Sequence, residues 1–205
     1  MKKSIFSTFA LVCSLNIIAS ESTFKITDLN AKLGDGAVVT LESKPFKLSG
    51  QTLQKGDLFP SLILKNKSYS DFDTSSLTGK VRIYNVVTSV DTPVCNQQIK
   101  ALNAFMTTHN LNDIEVYAVS ADTAFAQNRF KENNEITNDL MFLSDSIAHQ
   151  FGNETGTLIS SFGLLARTII VVNKDNKVVH IQRVPELTTI PNLETAVAAA
   201  KQHSS

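Results

Sequence analysis

Thr88-Ser89-Val90-Asp91-Thr92-Pro93-Val94-Cys95 leads the chain out of one kind of structure and into another. Before it, residues 81–87 have the apolar density of a buried strand. After it, Cys95, Ile99, Leu102 and Met106 recur at helical spacing and mark one inward face. Asp91-Thr92-Pro93 supplies the start signal, because proline in a first turn gives up an N–H that has no intrahelical acceptor. A strand that feeds straight into a helix is the unit from which α/β sheets are built, and here it sets Cys95 in the opening turn, facing inward.

The same alternation continues outward from this stretch. Residues 62–64, 114–119 and 140–143 read as strands, residues 124–130 as a helix and residues 147–151 as a helical turn. Residues 168–172 and 178–183 are β-branched runs joined by Asn173-Lys174-Asp175-Asn176-Lys177, whose turn chemistry predicts a hairpin, and an alanine-rich helix closes the chain at 193–202. Toward the N-terminus, residues 24–54 alternate weakly and carry Gly34, Asp35 and Gly36, then turn residues at 43–45, predicting a β-hairpin ahead of the main body. The expected architecture is an α/β sheet flanked by helices, its strand directions mixed by the 168–183 hairpin. With 205 residues, 42% hydrophobic content and neither repeats nor a low-complexity linker, one domain is expected.

Lysine and arginine number 19, as do aspartate and glutamate, so no basic field gathers phosphates and nucleic acid is not an expected partner. Residues 1–20 have the form of a cleaved secretory signal: Lys2 and Lys3, an apolar stretch over 5–18, then Ala19, Ser20 and Ser22. Ser7, Thr8, Ser14 and Asn16 interrupt the apolar run, which falls short of the ~20 residues of a membrane span. Val12, ahead of Cys13, is too large for a lipoprotein attachment site. Residues 21–205 are therefore expected as a single periplasmic or secreted bacterial domain without stable membrane insertion.

Signal removal leaves Cys95 as the only cysteine, and an unpaired thiol in an oxidising compartment is either buried and inert or present for its reactivity. The unbonded N–H groups and positive dipole end of a helix N-terminus favour negative charge, which gives a thiol in the first turn a physical route to activation. Thr92 stands where its hydroxyl can reach the sulfur or a bound oxygen. On these local features alone, an inert thiol behind a routine Thr-Pro helix start is an equal reading. His109, His149, His180 and His203 are scattered without ligand spacing, so no metal is expected.

Thr88 to Cys95 resembles the Pro-Ser-x-Asp-Thr-x-Val-Cys loop of the thiol peroxidase branch of the peroxiredoxins. Ser120-Ala121-Asp122-Thr123-Ala124-Phe125-Ala126-Gln127-Asn128-Arg129-Phe130 is similar to that family's Ser-Ala-Asp-x-Pro-Phe-Ala-x-x-Arg-Phe segment. Gly163-Leu164-Leu165-Ala166-Arg167 and the tail from Val184 to Pro191, with Thr188-Thr189, match further family segments in the right order. The resemblance implies a thioredoxin-like fold, a homodimer, and reduction of hydroperoxides by a thiol without cofactor. It makes Cys95 the peroxidatic cysteine, Thr92 its hydroxyl partner and Arg167 the guanidinium that holds thiolate and peroxide. Arg129 competes for that last role but is ranked as structural. Phe125, Phe130 and Phe162 are candidates for a pocket taking organic hydroperoxides, with core packing the expected role for most of them.

Three positions depart from the family pattern. Thr88 stands where the loop pattern has proline, the Thr123-Ala124 pair lacks the proline of the second pattern, and Lys131 stands where a resolving cysteine follows the Arg-Phe pair. Without that cysteine, the oxidised thiol must be restored by an external thiol or a thioredoxin-like reductant, or pair with Cys95 of a second chain. A redox sensor or binding module that relays oxidation to a partner through a mixed disulfide stays open as a second reading. A Cys-x-x-Cys oxidoreductase is disfavoured because Asn96, Gln97 and Gln98 follow Cys95.

Overall fold

Strands enclosed on both faces carry no polar alternation, and Val81–Val86 and Thr168–Val172 are buried at every position. In the computed structural model, which describes residues 23–32, 36–136 and 140–204, these two strands are paired neighbours in the interior of the main sheet. The chain opens with β1 (Ile26–Thr27) and the hairpin β2 (Val38–Leu41) and β3 (Lys44–Ser49). A second hairpin, β4 (Ile63–Lys65) and β5 (Asp71–Asp73), leads through a 3-10 turn at Thr74–Ser76 into β6 (Val81–Val86). Helices and strands then alternate as α1 (Pro93–Thr108), β7 (Ile114–Ser120), α2 (Ala124–Asn133), β8 (Met141–Ser144) and α3 (Gln150–Thr155). The short strands β9 (Leu158–Ile159) and β10 (Leu164–Leu165) precede the hairpin β11 (Thr168–Val172) and β12 (Val178–Arg183). A last short strand, β13 (Ile190–Pro191), runs into the closing helix α4 (Leu193–Ser204).

The main sheet has the order β12-β11-β6-β7-β8-β4-β5, with β6, β7 and β8 parallel and the remaining pairs antiparallel. Alternation along the strands divides the core. Val81, Ile83, Ile169 and Val171 pack with Cys95, Ile99 and Leu102 of α1 and Ala196, Val197 and Ala200 of α4. On the other face, Tyr84, Val86, Ile170 and Val172 pack with Phe59 and Phe151. An antiparallel sheet of order β10-β9-β3-β2 carries the N-terminal hairpin, and its Val39 and Ile159 form a small cluster with Ala166, Val184 and Leu187. That cluster sets the hairpin against the residue preceding Arg167.

The α/β architecture with an N-terminal hairpin matches the expectation, and so do the limits of the 168–183 hairpin. The N-terminal hairpin is narrower than the 24–54 segment read for it, and it turns at Glu42 and Ser43, both at positive φ (50° and 68°). Gly34 and Asp35, read as turn residues, lie outside the described residues, as do residues 1–20, read as a secretory signal. The helical turn expected at 147–151 is instead the helix α3, which starts only at Gln150. Asp145 fixes that start, its carboxylate accepting the N–H groups of Phe151 and Gly152 at 2.9 Å each. Among the described residues no helix is long and apolar enough to cross a membrane.

Candidate active site

Thr92 is the extended residue that opens α1 and Pro93 is its first helical residue, so Cys95 occupies the third helical position. Its side chain is fully buried. Two donors reach the sulfur: Arg167 Nη2 at 3.2 Å and the Ser89 N–H at 3.5 Å. The guanidinium comes from 72 residues further along the chain, from the position just before β11.

Arg167 is itself 1% exposed, and its donors are distributed over three partners. Nη1 donates to Gln98 Oε1 at 2.6 Å, while Nε and Nη2 both donate to the Leu187 carbonyl, at 3.2 and 3.1 Å. Gln98 lies three residues after Cys95, hence on the same side of α1, and passes its Nε2 donor on to Asn85 Oδ1 in β6. Burying a cation costs free energy unless a compensating charge is close. Of the groups that accept hydrogen bonds from Arg167, Cys95 alone can carry negative charge.

The loop that presents Ser89 is tied to the end of β7. Asp122 accepts the Ser89 hydroxyl and the Val90 N–H, both at 2.8 Å, and its own carbonyl accepts the Ser144 hydroxyl at 2.6 Å. The Thr92 hydroxyl donates to the Ser89 carbonyl at 3.0 Å. It therefore braces the turn beneath the sulfur rather than bonding to Sγ. Thr88, one of the departures from the family pattern, buries a hydroxyl with no partner among the described residues. Thr123 caps α2 by accepting the Ala126 N–H at 3.3 Å, and in register with the family segment it is Ala124, the first residue of the helix, that stands at the proline position.

Of the three sequence-derived site residues, Cys95 and Arg167 are in direct contact, and Thr92 sits in the same turn. Arg129 is exposed on α2. Phe130 belongs to the core, whereas Phe125 and Phe162 are 65% and 45% exposed, Phe125 stacked on Tyr69 and Phe162 tilted against Phe46. Lys131 closes α2, its Nζ bonded to the Leu140 carbonyl at 2.9 Å and lying over the Phe142 ring. Sequence reasoning passed over Gln98, Asn85, Asp122 and the Leu187 carbonyl. The spacing of Gln98 from Cys95 is a usable signal, and Asp122 lies inside the family-like segment from Ser120 to Phe130. A backbone carbonyl leaves no trace in the sequence. Among the described residues, no three His, Cys, Asp or Glu side chains cluster so as to hold a metal.

Comparison with known proteins sets the chain among relatives. The family model described as Redoxin matches residues 54–197. The chain is 36% identical over 165 residues to a thiol peroxidase of Bacillus subtilis, covering 80% of this chain and 97% of that one. It is 35% identical over 163 residues to a thiol peroxidase of Clostridium acetobutylicum, with the same two coverages. Among solved structures, a peroxiredoxin-like protein from Aquifex aeolicus superposes with a TM-score of 0.75 at 31% identity, covering 83% of this chain and 98% of that one. A thiol peroxidase from Chromobacterium violaceum shares the fold, with a TM-score of 0.71 at 17% identity over 80% of this chain and 97% of its own.

Proposed function

The chain belongs to the Redoxin family as a peroxiredoxin-type thiol peroxidase, and on that premise we propose that Cys95 reduces hydrogen peroxide and organic hydroperoxides in a one-cysteine cycle. The observation that carries the mechanism is the buried Arg167 guanidinium donating to Cys95 Sγ at 3.2 Å. The thiolate attacks one peroxide oxygen, an S–O bond forms as the O–O bond breaks, and the alkoxide or hydroxide leaves with a proton as alcohol or water. Sulfur is oxidised by two electrons to sulfenic acid and the peroxide is reduced by the same two. Arg167 serves both ends of this step: it holds negative charge on sulfur beforehand and stabilises charge developing on the departing oxygen. Because Cys95 is fully buried, a hydroperoxide contacts Sγ only after neighbouring groups move aside.

With Lys131 in the resolving position and no second thiol in residues 21–205, restoration falls to an external thiol. Its sulfur displaces water from the sulfenic acid to give a mixed disulfide, and a second thiol, as in a thioredoxin-like dithiol protein, releases Cys95. Homodimer formation, cleavage of residues 1–20 and a periplasmic or secreted location belong to the same reading; the last two are supported by Lys2, Lys3 and the apolar stretch behind them.

Purified protein carrying Cys13→Ser, so that Cys95 is the one thiol, tests the cycle by intact mass. One equivalent of hydroperoxide is expected to add a single oxygen, trapped at Cys95 by a sulfenate-specific reagent, and a dithiol then returns the starting mass. Oxidation that stops at a mixed disulfide with one protein partner, without catalytic turnover, favours the sensor reading instead.

A further inference from the structure

Resting on the reading of Arg167 as the group that activates Cys95, we infer that Glu186 is a positioning residue for the peroxidase reaction, and that the N-terminal hairpin exists at this site to hold it. Leu187 is the hinge of the inference. Its carbonyl accepts two of the Arg167 donors, so wherever that peptide sits, the guanidinium is aimed. The Leu187 N–H, on the other side of the same residue, donates to the Thr40 carbonyl of β2 at 2.7 Å, and the Thr40 N–H donates to the Pro185 carbonyl at 2.7 Å. Residues 185–187 are thereby laid against β2 as a parallel bridge.

Glu186 fastens this bridge from both sides. Its carboxylate accepts the Thr40 hydroxyl at 2.7 Å and the N–H groups of Glu42 and Ser43 at 3.1 and 3.2 Å, all on the hairpin. It also accepts the Thr188 N–H and hydroxyl at 3.2 and 3.1 Å, on the far side of Leu187. Five donors converge on one carboxylate. Burial alone would raise its pKa, but the Thr40 hydroxyl and the three backbone N–H groups outweigh that and hold it below the ordinary glutamate range. Glu42 and Ser43 form the two-residue turn between Leu41 and Lys44, at the positive φ that a tight hairpin requires, and their N–H groups are thereby free to bond the Glu186 carboxylate.

A carboxylate that only stabilises the fold and one that aims Arg167 differ in a measurable way. The rate constant of Cys95 oxidation by hydrogen peroxide is measured for Glu186→Ala, Glu186→Gln and Thr40→Val, each with Arg167 present and in an Arg167→Ala background. With Arg167 present, Glu186→Ala is expected to slow oxidation by roughly tenfold to a hundredfold, the scale of a displaced catalytic group. Glu186→Gln, which keeps one acceptor oxygen, is expected to fall between it and the unaltered protein. In the Arg167→Ala background all three effects should shrink to less than about twofold, as coupling through one partner requires. Equal slowing in both backgrounds, or no slowing with Arg167 present, overturns the inference. If Glu186→Ala fails to fold, Glu186→Gln and Thr40→Val decide it alone. An unchanged rate for Arg167→Ala by itself overturns the reading of Arg167, and this inference with it.

Discussion

Gln98 shows how a residue without reactivity of its own is tied to the chemistry. It stands between two buried partners, accepting from Arg167 Nη1 and donating to Asn85 Oδ1, and it is itself fully buried. Replacing it with leucine keeps the volume but strips a hydrogen bond from a buried guanidinium and from a buried amide. A buried group left unsatisfied costs about 1–3 kcal/mol, so Gln98→Leu is expected to lower the unfolding free energy by that order in urea denaturation, with Cys95 oxidation slowed alongside. A variant as stable and as fast as the unaltered protein contradicts the network. Thr92 illustrates the opposite case, because its hydroxyl is engaged by the Ser89 carbonyl and its contribution in this structure is to the shape of the turn.

Elements with a strong local signature were legible in the sequence. The β11–β12 hairpin was read with its observed limits because two β-branched runs are bounded by a stretch of turn residues. The start of α1 was read from Asp91-Thr92-Pro93, and that start places Cys95. Strands β9, β10 and β13 have two residues each, too few for any period, and exist only because distant partners offer them a ladder. No motif in the N-terminal hairpin points to Arg167, since the link between them runs through the Leu187 backbone. Its carboxylate clamp carries a pH signature. A glutamate whose folded pKa lies below its ordinary value contributes stability that is present above the ordinary range and is lost as pH falls through the depressed value. The stability difference between the unaltered protein and Glu186→Gln, measured by urea denaturation, is therefore expected to be larger at neutral pH than in acid below the carboxylate range. A difference that stays constant between the two contradicts the clamp.

The whole molecule gathers its site from separate regions of the chain. The main sheet lays α1 beside β11, so Cys95 meets Arg167, while the second sheet brings the hairpin to residues 185–187. Equal numbers of acidic and basic residues leave no net field to steer a charged substrate, and an uncharged hydroperoxide needs none. The family pattern in the sequence names Cys95 and Arg167, which the fold brings into contact, because such a pattern is written in residue types. It did not reach the packing that aims them, which depends on backbone groups and on contacts across the fold. The most direct measurement is the second-order rate constant of Cys95 oxidation by hydrogen peroxide, compared between the unaltered protein and Arg167→Ala under identical conditions. Removing a preorganised donor to developing charge is predicted to slow the reaction by about a hundredfold or more. Equal rates in the two proteins would contradict the account of Cys95 as a thiol activated by Arg167.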